Sequence, residues 1–252
     1  SGLAAPAGTE NVKDSRTPQK NNLSINMESS VSQWAVQARD VKHQISSGEN
    51  LLTILDGVNL DIARGESVAI VGRSGSGKTT LLSMLAGLDR PSSGEIELAG
   101  TDLAALDEDS RARLRAGRVG FVFQSFQLLG GFTALENARL GADLAGHPDA
   151  LERARKALDQ VGLSARSAHH PYQMSGGEQQ RVAIARAFAA GPDILFADEP
   201  TGNLDSATGE QIIDLLFQLN REQGATLILV THDDQLASRC QRVLTLEEGK
   251  VH

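Results

Sequence analysis

The segment GRSGSGKT, residues 72–79, decides the fold of this chain. It fits G-x-x-x-x-G-K-[ST], the pattern of a loop that binds nucleotide phosphates. The glycines let consecutive amides face an anion, Lys78 can reach the outer phosphates, and the Thr79 hydroxyl is placed to bind Mg²⁺. The predicted nucleotide contacts are the loop and the start of the helix after it: Gly72, Arg73, Ser74, Gly75, Ser76, Gly77, Lys78, Thr79 and Thr80.

The flanking residues supply the context that this loop requires. Ser67–Val71 (SVAIV) is a short apolar run typical of a buried parallel strand, and a leucine repeat from Leu81 to Leu88 indicates a helix. The start of that helix adds partial positive charge to the anion site. A glycine-rich turn that binds no ligand is the alternative, and the order of strand, loop and helix disfavours it.

A second apolar run, Ile194–Phe196, leads to adjacent carboxylates at Asp198 and Glu199. Ligands of open α/β sheets bind at the carboxyl ends of the strands, and neighbouring side chains at a strand end point in different directions. We therefore predict separate roles: Asp198 binds Mg²⁺, and Glu199 activates the water that attacks the γ-phosphate. Acidic pairs at strand ends are also common as solvated loop charges.

The segment Ser175–Glu178 (SGGE) predicts the start of a helix that ends near Gly191 and Pro192. Ser and Glu in S-x-x-E form a capping box. The capping box does not account for Gly176 and Gly177, because each glycine costs a helix about 1 kcal/mol relative to alanine. Close approach of a phosphate to this backbone would account for both glycines.

Together these segments resemble the nucleotide-binding subunit of an ATP-binding cassette (ABC) transporter. The resemblance extends from about Trp34 to the end of the chain, and Met174 stands where the family signature has leucine. Its motifs are Walker A at Gly72–Thr79, the Q-loop at Gln124, the signature at Met174–Gln180, Walker B at Ile194–Glu199, the D-loop at Gly202–Asp205 and the switch histidine at His232.

The resemblance implies the fold class and the assembly. The fold would be α/β: a P-loop NTPase with a RecA-like mixed or parallel sheet, an antiparallel β subdomain and a helical subdomain at about residues 125–180. Two copies would pair head to tail around ATP and Mg²⁺. Ser175 and Gly177 of one copy would contact the γ-phosphate bound by the other, with Gly176 and Glu178 beside them.

The resemblance also implies roles for the remaining motifs. Asp205 would contact the nucleotide across the interface between the two copies and align the two ATP sites. Gln124 and His232 would sense the γ-phosphate, with Gln124 also a ligand of Mg²⁺. The predicted catalytic residues are thus Glu199, His232, Gln124 and Lys78.

The adenine contact departs from the family pattern. The family usually has an aromatic side chain upstream of the Walker lysine, on which adenine stacks, whereas residues 41–51 contain His43 and no Tyr, Phe or Trp. Two possibilities follow: adenine stacks on His43, or it lies on aliphatic side chains.

Composition limits the classes of protein that the chain can belong to. The chain has 252 residues, a formal net charge of −8 and one cysteine, Cys240, which excludes an internal disulfide and suits the cytoplasm. Apolar runs such as Leu227–Val230 are too short to cross a bilayer, so we expect membrane contact only through a partner. Residues 1–33 lack a signal-peptide core and predict a disordered extension before the ATP-binding domain at 34–252.

A finer resemblance concerns the partner. The segment at Arg118–Ala138 and the motifs after it are similar to the branch of the family that includes LolD, MacB and YbbA-type bacterial cassettes. This implies an integral membrane permease of the MacB/FtsX type and a location on the cytoplasmic face of the inner membrane. Phe126, Leu128, Leu129 and Phe132 would contact the permease, or they pack internally.

Two other classes of protein share these motifs. An ABC ATPase of DNA repair would carry a long coiled coil or zinc insertion, yet Asp198 follows Lys78 by only 120 positions. The negative charge also disfavours a surface for duplex DNA, and we expect no nucleic acid partner. The second class, a nucleotide-gated adaptor that binds ATP without hydrolysing it, stays a possible reading of the sequence.

The arginines of Asp107–Arg118 have acidic neighbours and predict a solvated helical face rather than an anion site.

Overall fold

The computed structural model describes residues 32–48 and 50–252. The predicted N-terminal extension at residues 1–33 lies outside the described part, except for its last two residues. Within the described residues, the chain forms two sheets and seven α-helices. The strands are β1 Trp34–Ser47, β2 Asn50–Ala63, β3 Ser67–Val71, β4 Ser93–Leu98, β5 Thr101–Asp102, β6 Val119–Phe123, β7 Ile194–Asp198, β8 Thr226–Val230, β9 Arg242–Glu247 and β10 Lys250–Val251. The helices are α1 Lys78–Leu85, α2 Glu108–Arg115, α3 Ala134–Leu144, α4 Ala150–Gln160, α5 Gly176–Ala189, α6 Ser206–Gln223 and α7 Asp234–Ala237.

The six-stranded sheet aligns the ends of the motif strands. Its order is β10-β9-β3-β8-β7-β6, and the pairs from β9 to β6 are all parallel. Val230 lies opposite both Ile70 and Asp198, and Phe123 also lies opposite Asp198. The carboxyl ends of β3, β6, β7 and β8 therefore meet at one edge, where parallel sheets bind ligands.

Side chains of these strands alternate between two hydrophobic clusters. Ile194 and Phe196 pack in the cluster that contains α1 and the antiparallel sheet, whereas Leu195 and Ala197 pack against the helices of the other face. This alternation follows from the two-residue period of a strand, and it explains why the whole run is apolar. Both faces of β7 are therefore buried, which fixes the position of the carboxylates that follow it.

The antiparallel sheet has the order β2-β1-β4-β5, and its main feature is the long hairpin of β1 and β2. This hairpin packs against the motif helix α1. The leucine repeat predicted a helix that extends to Leu88, but α1 ends at Leu85. Gly87 has a φ of 69°, the left-handed conformation that commonly ends a helix.

The segment after β6 forms the helices α3, α4 and α5. Thr133 and Glu136 form a capping box at the start of α3, and α3 packs against both α4 and α5. Gly141 lies so close to α5 that a Cβ at this position would overlap the carbonyl oxygen of Arg186. None of the helices in residues 32–48 and 50–252 has the length and apolar character needed to cross a membrane.

The arginine-rich helix α2 differs from the prediction of a solvated face. Arg113 is exposed, but Arg111 is buried and pairs with Glu108. Arg115 lies 3.4 Å from Glu108 and also donates a hydrogen bond to the carbonyl oxygen of Gly87. The prediction is therefore wrong for Arg111 and Arg115, because the acidic residue that cancels their charge also lets them pack inward.

The contact between α3 and α5 leads to a test of packing. Gly141→Ala should lower the free energy of unfolding by about 1–3 kcal/mol, since the added methyl group has no space. The measurement is urea denaturation at equilibrium. Gly209 provides the control, because it lies inside α6 and its Cβ would meet Thr201 at an ordinary 3.5 Å. Gly209→Ala should be neutral or stabilising by up to about 1 kcal/mol, as helix propensity alone predicts. Equal effects of the two changes would contradict the close contact.

Candidate functional site

The glycine loop between β3 and α1 curls around the ammonium group of Lys78. Lys78 Nζ donates to the carbonyl oxygens of Gly72 at 2.8 Å and Arg73 at 3.1 Å. Gly77 has a φ of 97°, and a Cβ there would stand 3.1 Å from Ile54 Cγ2 on β2. The loop is thus packed against the hairpin of β1 and β2, and only glycine fits this approach.

The rest of the predicted phosphate contacts lie on the same turn. Arg73, Ser74 and Gly75 are exposed at its rim. The hydroxyl oxygen of Ser76 is buried and has no hydrogen-bond partner among the described residues. An unpaired buried hydroxyl is unfavourable, so the loop has hydrogen-bonding capacity that the described residues do not use.

Asp198 and Thr79 come together at the carboxyl end of β7. The Thr79 hydroxyl donates to Asp198 Oδ1 at 3.3 Å. Burial is the main cause that raises the pKa of Asp198 above its ordinary value; the hydrogen bond from Thr79 lowers the pKa, and the neighbouring charge of Glu199 raises it. Two hard oxygen donors beside a triphosphate loop suit Mg²⁺, which is commonly held by one or two protein oxygens together with phosphates.

Glu199 and His232 form a direct pair. Both carboxylate oxygens of Glu199 lie 2.8 Å from His232 Nδ1, which donates the hydrogen bond. Glu199 has a φ of 45°, and its amide donates to the carbonyl oxygen of Val230 at 2.9 Å. This left-handed conformation, unusual for a residue with a Cβ, separates the direction of Glu199 from that of Asp198. The structure thus brings the predicted base and the predicted sensor into contact.

Gln124 lies against the D-loop. Its side-chain Nε2 donates to Asn203 Oδ1 at 3.3 Å, and Asn203 Nδ2 donates to the carbonyl oxygen of Gln124 at 2.9 Å. A Cβ on Gly202 would stand 2.6 Å from Gln124 Nε2, so a larger residue at this position of the D-loop would displace the Gln124 side chain. The amide of Gln124 is therefore engaged with Asn203, rather than with Asp198, in this structure.

The signature segment begins α5 through the predicted capping box. Ser175 Oγ accepts from the amide of Glu178 at 3.3 Å, and Glu178 Oε2 accepts from the amide of Ser175 at 2.8 Å. A Cβ on Gly177 would stand 2.5 Å from Thr208 Cγ2. Packing against α6 therefore explains in part why residue 177 is glycine. The sequence alone did not reveal this contact.

The site residues divide between separate cavities. A cavity of about 320 Å³ is lined by Ser175, Gly176 and Gly177 together with Asp205, the N-cap of α6. A second cavity, of about 630 Å³, is lined by Glu199 and His232 and again by Asp205. Among the described residues, no member of the glycine loop lines either cavity. Neither of these two cavities therefore joins the signature to the glycine loop of the same copy.

His43 occupies a different sheet from the other predicted contacts. It lies on β1 opposite Leu55, and its ring is partly buried. Its Nδ1 atom is enclosed and has no hydrogen-bond partner in the part of the chain that the structure describes. The stacking role of His43 stays a prediction.

Arg186 is a functional candidate that sequence reasoning missed. From α5 it donates to the carbonyl oxygens of Gln127 at 2.6 Å and Phe126 at 3.1 Å, and burial lowers the pKa of its guanidinium. Phe126 and Gln127 have φ values of 60° and 48°, so Arg186 holds a strained segment directly after the Q-loop residue. The sequence feature that could have pointed to Arg186 is that it is a single arginine within the alanine-rich, apolar second half of α5.

Comparisons with known proteins agree with this geometry. Residues 55–202 match the family model described as ABC transporter. The ABC transporter ATP-binding protein YbbA of Escherichia coli (strain K12) is 57% identical over 218 residues, which cover 86% of this chain and 96% of the relative.

Two further relatives belong to the branch that the sequence indicated. The lipoprotein-releasing system ATP-binding protein LolD of Legionella pneumophila (strain Paris) is 49% identical, covering 81% of this chain and 91% of the relative. The macrolide export ATP-binding/permease protein MacB of Rhodospirillum rubrum is 49% identical, covering 86% of this chain and 33% of the relative.

A solved structure confirms the fold class. The dimeric, post-hydrolysis ATP-binding cassette MJ0796, bound to ADP and Pi, superposes with a TM-score of 0.80 at 41% identity and covers 86% of this chain and 96% of that chain. The predicted α/β P-loop fold with an antiparallel sheet is therefore correct. By its motifs, its fold and these relatives, the chain belongs to the ABC transporter family and is an ATP-binding cassette of the LolD, MacB and YbbA type.

Proposed function

We propose that the chain is the ATP-hydrolysing subunit of a bacterial transporter complex and that it works as a head-to-tail homodimer. The observation that carries this proposal is the separation of the signature cavity from the glycine loop within one copy. A second copy, turned to face the first, supplies Ser175 and Gly177 to the triphosphate held by Lys78. The D-loop residue Asp205 lines both cavities and would lie beside the interface between the two copies.

Hydrolysis in this proposal uses the two clusters at the sheet edge. The glycine-loop amides and Lys78 bind the phosphates and offset their charge. When bound, Mg²⁺ supplies charge neutralisation at the β- and γ-phosphates, and Asp198 and Thr79 are the residues that would hold it. Glu199 accepts a proton from water as the water oxygen bonds to the γ-phosphorus and the bond to the ADP oxygen breaks. His232 orients Glu199 through Nδ1 and keeps its exposed ring edge available to the γ-phosphate.

The proposed permease contact is a groove beside the edge strand β6. A cavity of about 430 Å³ is lined by Phe121, Phe123, Leu140 and Leu144, with Arg186 at its base. The rings of Phe121 and Phe123 stack with centroids 5.4 Å apart, and Leu144 is 68% exposed. A helix end with apolar side chains would bury this surface.

The four residues that the sequence singled out for this contact divide into two groups. Leu129 and Phe132 are exposed but do not line the groove, whereas Leu128 packs partly against the core and Phe126 is half-buried. We assign residues of about 125–180 to a helical subdomain that forms one wall of the groove. The partner is a MacB/FtsX-type permease, and the dimer is located on the cytoplasmic face of the inner membrane. MacB supports this choice, since its name joins an ATP-binding and a permease protein in one chain.

The first test separates an ATPase from an adaptor that only binds ATP. Glu199→Gln should retain ATP binding and accumulate a dimer in ATP, while phosphate release falls by about 10²-fold or more because the proton acceptor is lost. The measurements are steady-state phosphate release and size-exclusion chromatography with ATP. Glu222→Gln, an exposed change in α6, is the control. Equal phosphate release by the wild type and Glu199→Gln, with permease present, would favour the adaptor.

The second test uses the raised pKa of Asp198. Because the folded-state pKa lies above the unfolded value of 3.8, ionised Asp198 lowers stability, and this loss grows as the pH rises through the folded pKa. Asp198→Asn should therefore raise the melting temperature of the nucleotide-free protein near pH 7, and the gain should shrink towards about pH 4. The same variant should lose the extra stabilisation that Mg²⁺ adds to ATP.

Asp193→Asn is the control for this second test, since Asp193 is exposed at the other end of the same strand. It should show neither effect. A gain for Asp198→Asn that does not depend on pH would contradict burial of an ionised carboxylate as its cause.

The third test addresses the groove. Leu144→Glu should abolish co-purification with the permease and leave the ATPase rate of the isolated cassette unchanged, because Leu144 lies away from the phosphate site. Leu151→Glu, on α4, introduces the same charge at a leucine that is 40% exposed and does not line the groove. It should leave the complex intact. Retention of the permease by Leu144→Glu would place the contact elsewhere.

A further inference from the structure

Gln180 is a fully buried polar side chain on α5, the helix that begins at the signature. Its exposed fraction is 0%, and its Nε2 atom donates to the carbonyl oxygen of Pro200 at 2.6 Å. Its Oε1 atom is enclosed and has no hydrogen-bond partner among the described residues. A carbonyl oxygen accepts only from the NH₂ group of a carboxamide, so this bond also fixes the orientation of the Gln180 side chain.

The carbonyl oxygen of Pro200 is the only polar group of its backbone. Proline has no N–H group, so hydrogen bonding can hold the Pro200 backbone only through this oxygen. Pro200 is buried, and a buried carbonyl oxygen without a donor would be unfavourable. The donor is Gln180, and the bond between them is itself buried. Gln180 therefore anchors the backbone immediately after Glu199.

Glu199 depends on such anchors because its conformation is strained. Its φ of 45° is left-handed, whereas a residue before proline normally adopts an extended conformation. Its amide donates to the carbonyl oxygen of Val230 at 2.9 Å, and its carboxylate accepts from His232. A strained conformation persists only where surrounding contacts hold it. Loss of the bond to Pro200 would remove one of these constraints and let Glu199 move.

The same bond connects Glu199 to the signature. Helix α5 begins at Gly176, so Gln180 lies in its second turn, about 6 Å along the helix axis. The first turn is packed against the D-loop, since a Cβ on Gly176 would stand 3.3 Å from Leu204 Cδ2. The signature turn and the segment after Glu199 therefore form one packed unit, in which Gln180 makes the buried hydrogen bond.

We infer that Gln180 is a positioning residue for Glu199 and that, through the Pro200 carbonyl, it makes the position of the proposed base depend on the signature helix. The inference rests on the proposed function, because it concerns the group proposed there as proton acceptor. The acceptor must lie within hydrogen-bond reach of the attacking water, and a displacement of about 1 Å can lower a rate about a hundredfold. The glycine loop and Lys78 bind the phosphates without this bond. Loss of the Gln180 bond should therefore lower kcat and leave ATP affinity nearly unchanged.

The central experiment compares two buried carboxamides that make the same kind of bond. Asn220 on α6 is buried, donates through Nδ2 to the carbonyl oxygen of Ala225 at 3.1 Å, and has an Oδ1 atom without a partner in the described part of the chain. Ala225 precedes β8, at the end of the sheet opposite to Glu199. Gln180→Met and Asn220→Leu each remove the donor and keep a side chain of similar size.

Three quantities are measured on the full chain with Mg²⁺: the melting temperature, binding of the non-hydrolysable analogue AMPPNP, and steady-state phosphate release from ATP. Both variants should lower the melting temperature by about 2–10 °C, since a buried carbonyl oxygen loses its donor. Gln180→Met should also lower kcat about ten- to a hundredfold, with AMPPNP affinity within about threefold of the wild type. Asn220→Leu should leave kcat and affinity within about twofold.

A second variant keeps the test valid if Gln180→Met does not fold. Gln180→Asn retains the carboxamide but is one methylene shorter, so its NH₂ group is withdrawn from the Pro200 carbonyl oxygen. It should also lower kcat about tenfold or more and leave AMPPNP affinity within about threefold of the wild type.

A double-mutant cycle separates positioning from a general structural role. Glu199→Gln removes the proton acceptor, so Gln180 then has no base to position. Single-turnover phosphate release by Glu199→Gln should therefore change by less than about twofold when Gln180→Met is added. The melting temperature should still fall in the double variant, because the buried hydrogen bond is lost in either background.

Two results would overturn the inference without affecting the proposed function. One is a kcat of Gln180→Met within about twofold of the Asn220→Leu value. The other is an equal fractional loss of rate when Gln180→Met is added to the wild type and to Glu199→Gln. If the wild type, with permease present, releases phosphate no faster than Glu199→Gln, the proposed hydrolysis itself is refuted, and the inference with it.

Discussion

The parallel alignment of β3, β8, β7 and β6 is the constraint on which the site depends. Each strand is short and buried on both faces, so its register is fixed by packing rather than by local preference. Because the four strands run in the same direction, the residues that follow them reach the same edge. This register brings to one edge residues from distant parts of the sequence: Lys78, Gln124, Asp198, Glu199 and His232.

The charges at this edge are held ready for a ligand rather than neutralised by one another. Lys78 donates to the carbonyl oxygens of its own loop, and Asp198 accepts from the Thr79 hydroxyl. A direct ion pair between Lys78 and Asp198 would have to be broken before phosphates or a cation could bind, and breaking a buried pair is costly. The raised pKa of Asp198 shows that its carboxylate lacks full compensation when no ligand is bound. Part of the binding energy of a cation would offset this deficit.

The sequence predicted the parts of the structure that local rules determine. The glycine loop, the strand at Ser67–Val71 and the capping box at Ser175 follow from steric freedom, hydrophobic period and hydrogen bonding within a few residues. It did not predict features that depend on contacts distant in sequence. Arg186 acts on carbonyl oxygens near residue 127, and the burial of Arg111 depends on how α2 packs.

The same limit explains why the sequence left the adenine contact open between two possibilities. Residues 41–51 contain His43 and several aliphatic side chains, and nothing in the local pattern says how far packing encloses the His43 ring. The answer depends on the irregular register between His43 and Gln44, where Ile54 has no direct partner. A β-bulge of this kind re-aims side chains, and a regular two-residue period cannot predict it.

In the proposed dimer, the strain at Glu199 bears on how hydrolysis is restricted to the assembled state. A left-handed conformation at a residue with a Cβ costs about 1–3 kcal/mol, and it persists only where surrounding contacts hold it. Here the contacts are the amide of Glu199 on Val230 and the carboxylate on His232, both within one copy. The proposed base is therefore oriented by contacts within one copy, whereas the signature cavity, bordered by Asp205, is lined by no described residue of the glycine loop of its own chain. In the proposed head-to-tail dimer the second copy supplies the missing signature, and dimerisation would then be the step that couples nucleotide binding to hydrolysis.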